Sequence, residues 1–327
     1  MSELVQARLV NPAFDDPGLI LDFRHGARAI LFDLGNLHSL STRELVRVEQ
    51  VFVSHLHVDH FVGFDHLLRL NLHRPRTISI VGPPGLTDGV EAKLRGYHWN
   101  LLNETSPNFV IQAADWLDGF REGACFAAQR AFRPEPYAPP ALTGALVHAE
   151  DDFAIHAAAL DHGIPSLAFA FVEARRVNVI KPRLDAEGLP VGAWLTEAKR
   201  AIRGGRHDSR VRVDGGELVV SELLAAGIFR EARGQHIAYA TDFANSHSNR
   251  QKVLELARDA HQLFIEAVFA DEDAELAMRS LHQTARQAGL LAREAGVHRA
   301  MPMHFSPRYL DQPERLAEEF LTAFKRG

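Results

Sequence analysis

Four side chains able to bind a metal fall within six residues in His55-Leu56-His57-Val58-Asp59-His60, directly after the apolar run Val51-Phe52-Val53. If that run is a short strand, it delivers the cluster onto a loop at the strand's C-terminal end. The one-residue spacing then points the His55 and His57 imidazoles to one side. Asp59 and His60 are left to turn toward a second ion. A chain with 18 histidines could carry such a cluster as a surface loop. At the end of a buried strand, however, each unpaired polar group away from water costs about 1 to 3 kcal/mol. A bound cation removes that cost, so the cluster reads as the core of a two-metal hydrolase site.

Two histidines, an aspartate and a histidine at this spacing resemble the signature of the metallo-β-lactamase superfamily, which implies an α/β fold, an αββα sandwich. Within it the chain is similar to ribonuclease Z, the zinc phosphodiesterase family that trims the 3′ ends of precursor transfer RNAs. Further segments follow in that family's order, over most of the chain after residue 29. Leu160-Asp161-His162-Gly163-Ile164-Pro165, followed by an apolar run to Phe171, resembles the motif whose histidine completes the first metal's ligands. Ile237-Ala238-Tyr239-Ala240-Thr241-Asp242 resembles the run ending in a metal-bridging aspartate. Met301 to Tyr309, with His304 and Arg308, resembles the last motif, whose histidine closes the second metal's shell. Leu281-His282-Gln283-Thr284-Ala285, at the head of an Ala-rich amphipathic stretch, resembles the segment carrying a catalytic histidine that is not a ligand.

The resemblance therefore implies two divalent ions, best matched by zinc, with manganese and iron compatible with the same donors. His55, His57 and His162 would hold one, Asp59, His60 and His304 the other, and Asp242 would reach both. Such ions, roughly 3.5 to 4 Å apart, share a hydroxide that attacks a phosphodiester. Asp59 has two carboxylate oxygens and can be ligand and proton acceptor at once. His282 would protonate the departing alkoxide, since an imidazole titrates near neutral pH. Glu266 resembles the family's acidic residue upstream of that histidine and would orient its ring, or else it is an ordinary helix-end or surface acid. Asp33, ending Ala29-Ile30-Leu31-Phe32, resembles the aspartate that steadies the metal-binding histidines without touching metal. Arg308 is either a phosphate contact or an internal salt-bridge partner.

With 327 residues, 46% of them hydrophobic, the chain can bury a sizeable core. One domain spanning 1–327 is expected, with an inserted arm. Its lone cysteine, Cys125, leaves no internal disulfide and suits a reducing cytoplasm. Residues Met1 to Gln6 lack a basic segment followed by an apolar one, and no run of about 18 apolar residues occurs. A cytoplasmic protein that avoids membranes is expected.

The net charge of −6 argues against a protein that coats nucleic acid nonspecifically. Between Arg175 and Arg212, however, ten basic residues face four acidic ones. Gly188, Pro190, Gly192, Gly204 and Gly205 punctuate that segment. It lies where ribonuclease Z carries a flexible arm that grips the transfer RNA elbow, and Leu189 to Trp194 resembles that arm's Gly/Pro segment with Ala193 in place of a second proline. Residues 174–212 are thus an expected exosite arm, with an ordinary basic hairpin as the other reading. The resemblance also implies a homodimer in which one subunit's arm serves its neighbour's site.

The likeness departs from the family at residues 1–28, where Asn11 to Gly18 lack the expected Gly-rich turn and the basic loop after it. Loops around such a site choose the substrate while the metals perform the same hydrolysis. A metallo-β-lactamase-fold hydrolase of a small ester, lactone or cyclic phosphodiester is therefore the alternative to a nuclease. A purely structural metal site fits poorly, because structural zinc is usually closed by four ligands. Elsewhere Ile78 to Leu86 reads as strand, turn and helix, and Arg133 to Pro140 as a rigid surface loop. Helical periodicity marks residues 250–260, 284–295 and 313–324.

Overall fold

The computed structural model describes residues 3–325, and its layers follow from how the apolar runs pair. Eight strands lie side by side in chain order as one sheet. They are β1 (Val5–Leu9), β2 (Leu19–Phe23), β3 (Ala29–Phe32), β4 (Val48–Phe52), β5 (Arg76–Gly82), β6 (Phe109–Trp116), β7 (Phe120–Ala127) and β8 (Pro134–Pro136). The middle of the sheet, β3 to β6, is parallel, and its flanks are antiparallel. Parallel neighbours need crossovers. These are supplied by α1 (Thr42–Leu45), α2 (Val58–Phe61), α3 (Phe64–Asn71) and α4 (Leu86–Arg95). Part of the expected surface loop after Arg133 forms the edge strand β8, where proline's missing N–H costs no ladder bond.

The second sheet has six strands. It opens with β9 (Leu146–Ala149), β10 (Phe153–Asp161) and β11 (Pro165–Glu173). After an insertion carrying β12 (Arg176–Val179), β13 (Arg210–Val213), β14 (Gly216–Val219) and β15 (Phe229–Ala232), it is completed by β16 (His236–Ala240), β17 (Gln262–Glu266) and β18 (Ala300–Met303). The two sheets face one another through aromatic rings. Phe32 stacks on Phe169 with centroids 5.4 Å apart, Phe52 meets the same ring at 5.6 Å, and Phe32 meets Tyr239 at 5.8 Å. Each such fully buried side chain contributes about 1.5 to 3 kcal/mol of apolar burial. On the outer face of the first sheet, Leu67 and Leu68 of α3 and Val90 and Leu94 of α4 cover Leu31, Val51, Ile78 and Ile80.

The insertion's helices are α5 (Lys181–Ala186), α6 (Trp194–Arg203) and α7 (Val220–Ala225). After them, α8 (His247–Ala257), α10 (Ala285–Glu294) and α11 (Arg315–Lys325) cover the outer face of the second sheet, with α9 (Ala274–Arg279) between. The layers are α, β, β, α. The helix α8 begins before the periodic stretch at 250 because Ser246 caps it, its hydroxyl accepting from the Asn249 N–H. Thr284 and Gln287 close a capping box that fixes the start of α10.

Packing separates the chain into two compact units, one of residues 1–149, 155–171 and 236–327, the other of 150–154 and 172–235. The second has a small core of its own, including Val177, Leu184, Trp194, Ile202, Val211 and Phe229. In it β12 pairs with β15 and β13 with β14, and the Trp194 indole N–H donates to the Pro190 carbonyl at 2.9 Å, closing the Gly/Pro turn. This unit runs past residue 212 because Val213, Val220, Leu223 and Phe229 complete its core. Over its whole extent twelve Lys and Arg are matched by twelve Asp and Glu. The basic excess is thus local to the part before residue 213.

One close approach in the first unit fixes the loop that carries the histidine cluster. The Leu34 N–H donates to His60 O at 2.9 Å and the Gly63 N–H to Leu34 O at 2.8 Å. A Cβ on Gly35 would lie 2.6 Å from both Asp59 O and Pro17 O. Backbone cannot yield there as a flexible side chain would. Gly35→Ala is expected to lower unfolding stability by about 3 kcal/mol, read as a lower denaturant midpoint. An unchanged midpoint would show that the two loops can part at little cost.

Candidate metal centre

The expected site residues come together at the C-terminal ends of strands of both sheets, all within the first unit. The loop after β4 holds His55 and His57, α2 holds Asp59 and His60, and Asp33 follows β3. His162 follows β10, Asp242 lies two residues past β16, Glu266 ends β17, and His304 follows β18. Donor atoms of His55, His57, His162 and Asp242 lie within 4.8 Å of one another, as do those of Asp59, His60 and His304. A third overlapping group joins Asp242 and His304 with Glu266 and His282. Asp242 bridges the first and third groups. Its Oδ2 is 3.4 Å from both His55 Nε2 and His60 Nε2 and 3.7 Å from His162 Nε2, while its Oδ1 is 2.8 Å from His304 Nδ1.

A chain of buried hydrogen bonds presents the ring nitrogens. Asp33, fully buried, accepts from the Ser54 N–H (2.6 Å), the Ser54 hydroxyl (2.9 Å), His60 Nδ1 (2.9 Å) and the Tyr239 hydroxyl (2.8 Å). His55 Nδ1 lies 3.0 Å from the same Ser54 hydroxyl, and His162 Nδ1 donates to Leu281 O at 3.0 Å. With Nδ1 of these three rings occupied, each Nε2 faces the cluster. His55 Nε2 and His60 Nε2 are buried with no hydrogen-bond partner among the described residues. Buried, orphaned ring nitrogens beside two carboxylates fit divalent cations, and nitrogen and oxygen donors of this kind suit zinc. Ser54 and Tyr239 were not expected from sequence. The signal available for them was the need of a buried Asp33 carboxylate for donors.

Backbone strain gathers at the same place. Asp33, Asp242, Leu281 and His304 all have left-handed φ, at 62°, 50°, 60° and 58°. Such conformations cost of order 1 to 3 kcal/mol each in residues other than glycine and persist where the surroundings over-determine them. Here they aim side chains from strand ends inward.

The ionisation states form a balanced set. Burial pushes the His55 imidazole down to about 2, and its histidine neighbours act in the same direction. Burial alone would also depress His60, but the Asp242 and Asp33 carboxylates outweigh it and hold the ring well above its ordinary value. For His304 burial is likewise overcome, chiefly by Asp242, and the ring is pushed up to about 10. Burial would raise Asp59 and Asp242, yet the adjacent imidazoles hold both below the usual carboxylate range. Without cations, His60 and His304 therefore neutralise the carboxylates by carrying protons. Metal uptake on these rings would displace those protons. Zinc binding at pH 7 is expected to release about two protons per chain, measurable by calorimetry in buffers of different ionisation enthalpy. Uptake without proton release would show that these two rings are not ligands.

Glu266, one of the two readings for which was a surface acid, is fully buried. Its Oε2 accepts from His282 Nδ1 at 2.7 Å and its Oε1 from the Phe243 N–H at 3.2 Å. Burial lowers the His282 pKa, but the Glu266 carboxylate prevails and raises it. The His282 ring stands 4.8 Å from that of His162 and 5.8 Å from that of His304. Arg308 is exposed and forms no ion pair among the described residues, so the internal salt bridge is absent. Cys125 lies on β7, and burial raises its thiol, which suits neither nucleophile nor ligand.

The αββα layers and the His/Asp cluster on strand ends define the metallo-β-lactamase fold. Two solved structures share it over nearly the whole chain. The Bacillus subtilis metallo-β-lactamase-fold protein YhfI is similar at a TM-score of 0.53 and 15% identity, covering 98% of this chain and 93% of that one. The short form of human tRNase Z is similar at 0.52 and 18%, covering 93% of each. No family model matches the chain. Ribonuclease Z of Deinococcus radiodurans is 30% identical over 297 residues, 88% of this chain and 85% of that protein. The chain belongs to the ribonuclease Z family and is a hydrolytic nuclease of the metallo-β-lactamase fold.

Proposed function

We propose that the protein is a zinc phosphodiesterase that cuts the 3′ extension from precursor transfer RNA. The observation carrying this reading is the joint geometry of Asp242 and the Glu266–His282 pair, one gathering the donors, the other a buried proton carrier beside them. His55, His57 and His162 would hold one cation, Asp59, His60 and His304 the second, and Asp242 would serve both. When bound, two such cations make water acidic enough to attack near neutral pH and offset charge on the phosphoryl oxygens. Asp59 takes the proton of the attacking water on its free oxygen. His282, kept protonated by Glu266, gives its Nε2 proton to the leaving ribose oxygen. Asp33 holds the His60 ring in place, and Arg308, with no internal partner, contacts a substrate phosphate.

Residues 174–212 serve as the transfer-RNA-gripping insertion of a single-domain enzyme. Exposed Arg200, Arg203, Arg206 and Arg212, which form no ion pair among the described residues, support that reading. The enzyme acts as a homodimer in the cytoplasm. No helix among the described residues is long and apolar enough to cross a membrane.

One observation favours the second reading, a hydrolase of a small ester, lactone or cyclic phosphodiester. Phe14, Asp15 and Asp16, from the segment that departs from the family, line the cavity of about 240 Å³ beside Asp59, His282 and His304. Carboxylates there do not favour a polyanion. A cleavage assay on precursor transfer RNA, with metal analysis of the same sample, decides between them. Endonucleolytic cutting with two zinc ions per chain is expected, together with hydrolysis of bis(nitrophenyl) phosphate. Lactone turnover with no cleavage of RNA or diester would remove the nuclease reading.

A further inference from the structure

The cavity beside the metal centre does not end there. It shares Asp16 with a second cavity of about 280 Å³, lined also by Asn36, His38, Val62 and His66. That one shares His38 and His66 with a third of about 510 Å³, which continues along α3 to Arg69, Tyr97, His98 and Trp99. These three neighbouring cavities of the first unit thus share walls in series, from the metal ligands to a cleft whose lining is mostly rings.

The rings of the cleft are arranged as platforms. His38 and His66 stack with centroids 4.5 Å apart and planes 29° from parallel. Trp99 is fixed from behind, its Nε1–H donating to Leu94 O at 2.9 Å and its ring meeting Phe132 edge-on at 4.7 Å. Tyr97 packs against Trp99 at 5.7 Å and is itself 46% exposed, with His98 exposed beside it. Leaving large rings in water is unfavourable for a fold that has buried Phe52, Phe64 and Trp116 completely. The charge also has a direction. Asp65 is occupied by Lys93 at 2.7 Å, whereas Arg69 is exposed and forms no ion pair among the described residues.

We propose that this cleft is a subsite for an unpaired nucleotide of the strand being cut, its base stacked on Tyr97, His98 and Trp99 and its phosphate beside Arg69. Ring faces next to a cation suit a nucleobase joined to a phosphate and are indifferent to which base it is. Paired bases within an A-form stem offer no free face to such rings. In a precursor transfer RNA the single-stranded trailer beyond the scissile bond is such a strand, so this assignment rests on the nuclease reading above. The cleft then grips the leaving side of the substrate, and cleavage efficiency depends on trailer length and on the presence of bases in it.

The test compares kcat/KM for precursors carrying trailers of one and ten nucleotides, with a ten-nucleotide abasic trailer as a third substrate. Wild-type enzyme is expected to favour the long trailer by about tenfold, as base stacking on an aromatic ring supplies, and the abasic trailer is expected to lose that advantage. The Tyr97→Ala/His98→Ala double variant, made at exposed positions, is expected to bring the ratio of long to short near one. A wild-type preference unaffected by removing the bases, or an unchanged ratio in the variant, would overturn the proposal. Failure to cut any precursor would remove the nuclease reading instead. The cleft is then judged by quenching of tryptophan fluorescence on titration with a single-stranded decanucleotide, and binding equal in wild type and double variant would sink it.

Discussion

Replacing Asp242 by asparagine is expected to reduce kcat/KM by a factor on the order of 10³ or more and to leave the purified protein short of metal. The size follows from position: its two oxygens lie 2.8 to 3.7 Å from ring nitrogens of His55, His60, His162 and His304, so one substitution weakens both donor sets. A factor of 10³ corresponds to about 4 kcal/mol of transition-state stabilisation. Asparagine is the informative choice because Asp242 has φ of 50°, a left-handed conformation that asparagine tolerates better than alanine. The backbone is thereby spared while the charge is lost. Without that charge, the main cause holding His304 near 10 is gone, so the apo-protein of the variant also binds fewer protons at neutral pH. Metal content by mass spectrometry and kcat/KM on a small diester read the outcome. A variant with two ions and full turnover would show that the cations sit elsewhere.

The sequence displayed the donor cluster because His55, His57, Asp59 and His60 are contiguous, and contiguity at a strand end has few meanings. Asp242 and His304 were different. Each is one polar residue after a short apolar run, and only family order set them apart from a turn aspartate or a satisfied histidine. What brings them to the first cluster is a second sheet facing the first through Phe32, Phe52 and Phe169, a long-range packing that local pattern does not encode. Ser54 and Tyr239 were invisible for a related reason. Their role exists only because Asp33 is buried between them, and burial depends on the whole sandwich.

The insertion shows how composition misplaces a boundary. Counting charge ends the segment at Arg212, where the run of basic residues stops. Packing carries it to Gln235, because Val220, Leu223 and Phe229 are needed to bury Trp194 and Ile202. The glycines and prolines of the segment punctuate its short helices, as where the Pro190 carbonyl accepts from the Trp194 indole N–H. A small core needs its last apolar residues whatever their charge surroundings.

His282→Ala is expected to slow turnover by about 10² to 10⁴-fold, the range that general acid catalysis supplies, with metal content unchanged. Its Nδ1 is committed to Glu266 at 2.7 Å, which leaves Nε2 as the atom able to carry a proton toward the site. The pH profile separates this role from ligation. A proton donor works while protonated, so kcat should fall as pH rises through the raised His282 pKa. Glu266→Gln removes the carboxylate that raises it, and the alkaline limb should then move to lower pH while the metal stays. A ligand would behave otherwise, losing activity as pH falls and protons compete for its ring. Loss of metal in His282→Ala would place His282 among the ligands, as the overlapping group of Asp242, Glu266, His282 and His304 allows, and an alkaline limb that stays put in Glu266→Gln would show that His282 is not the proton donor.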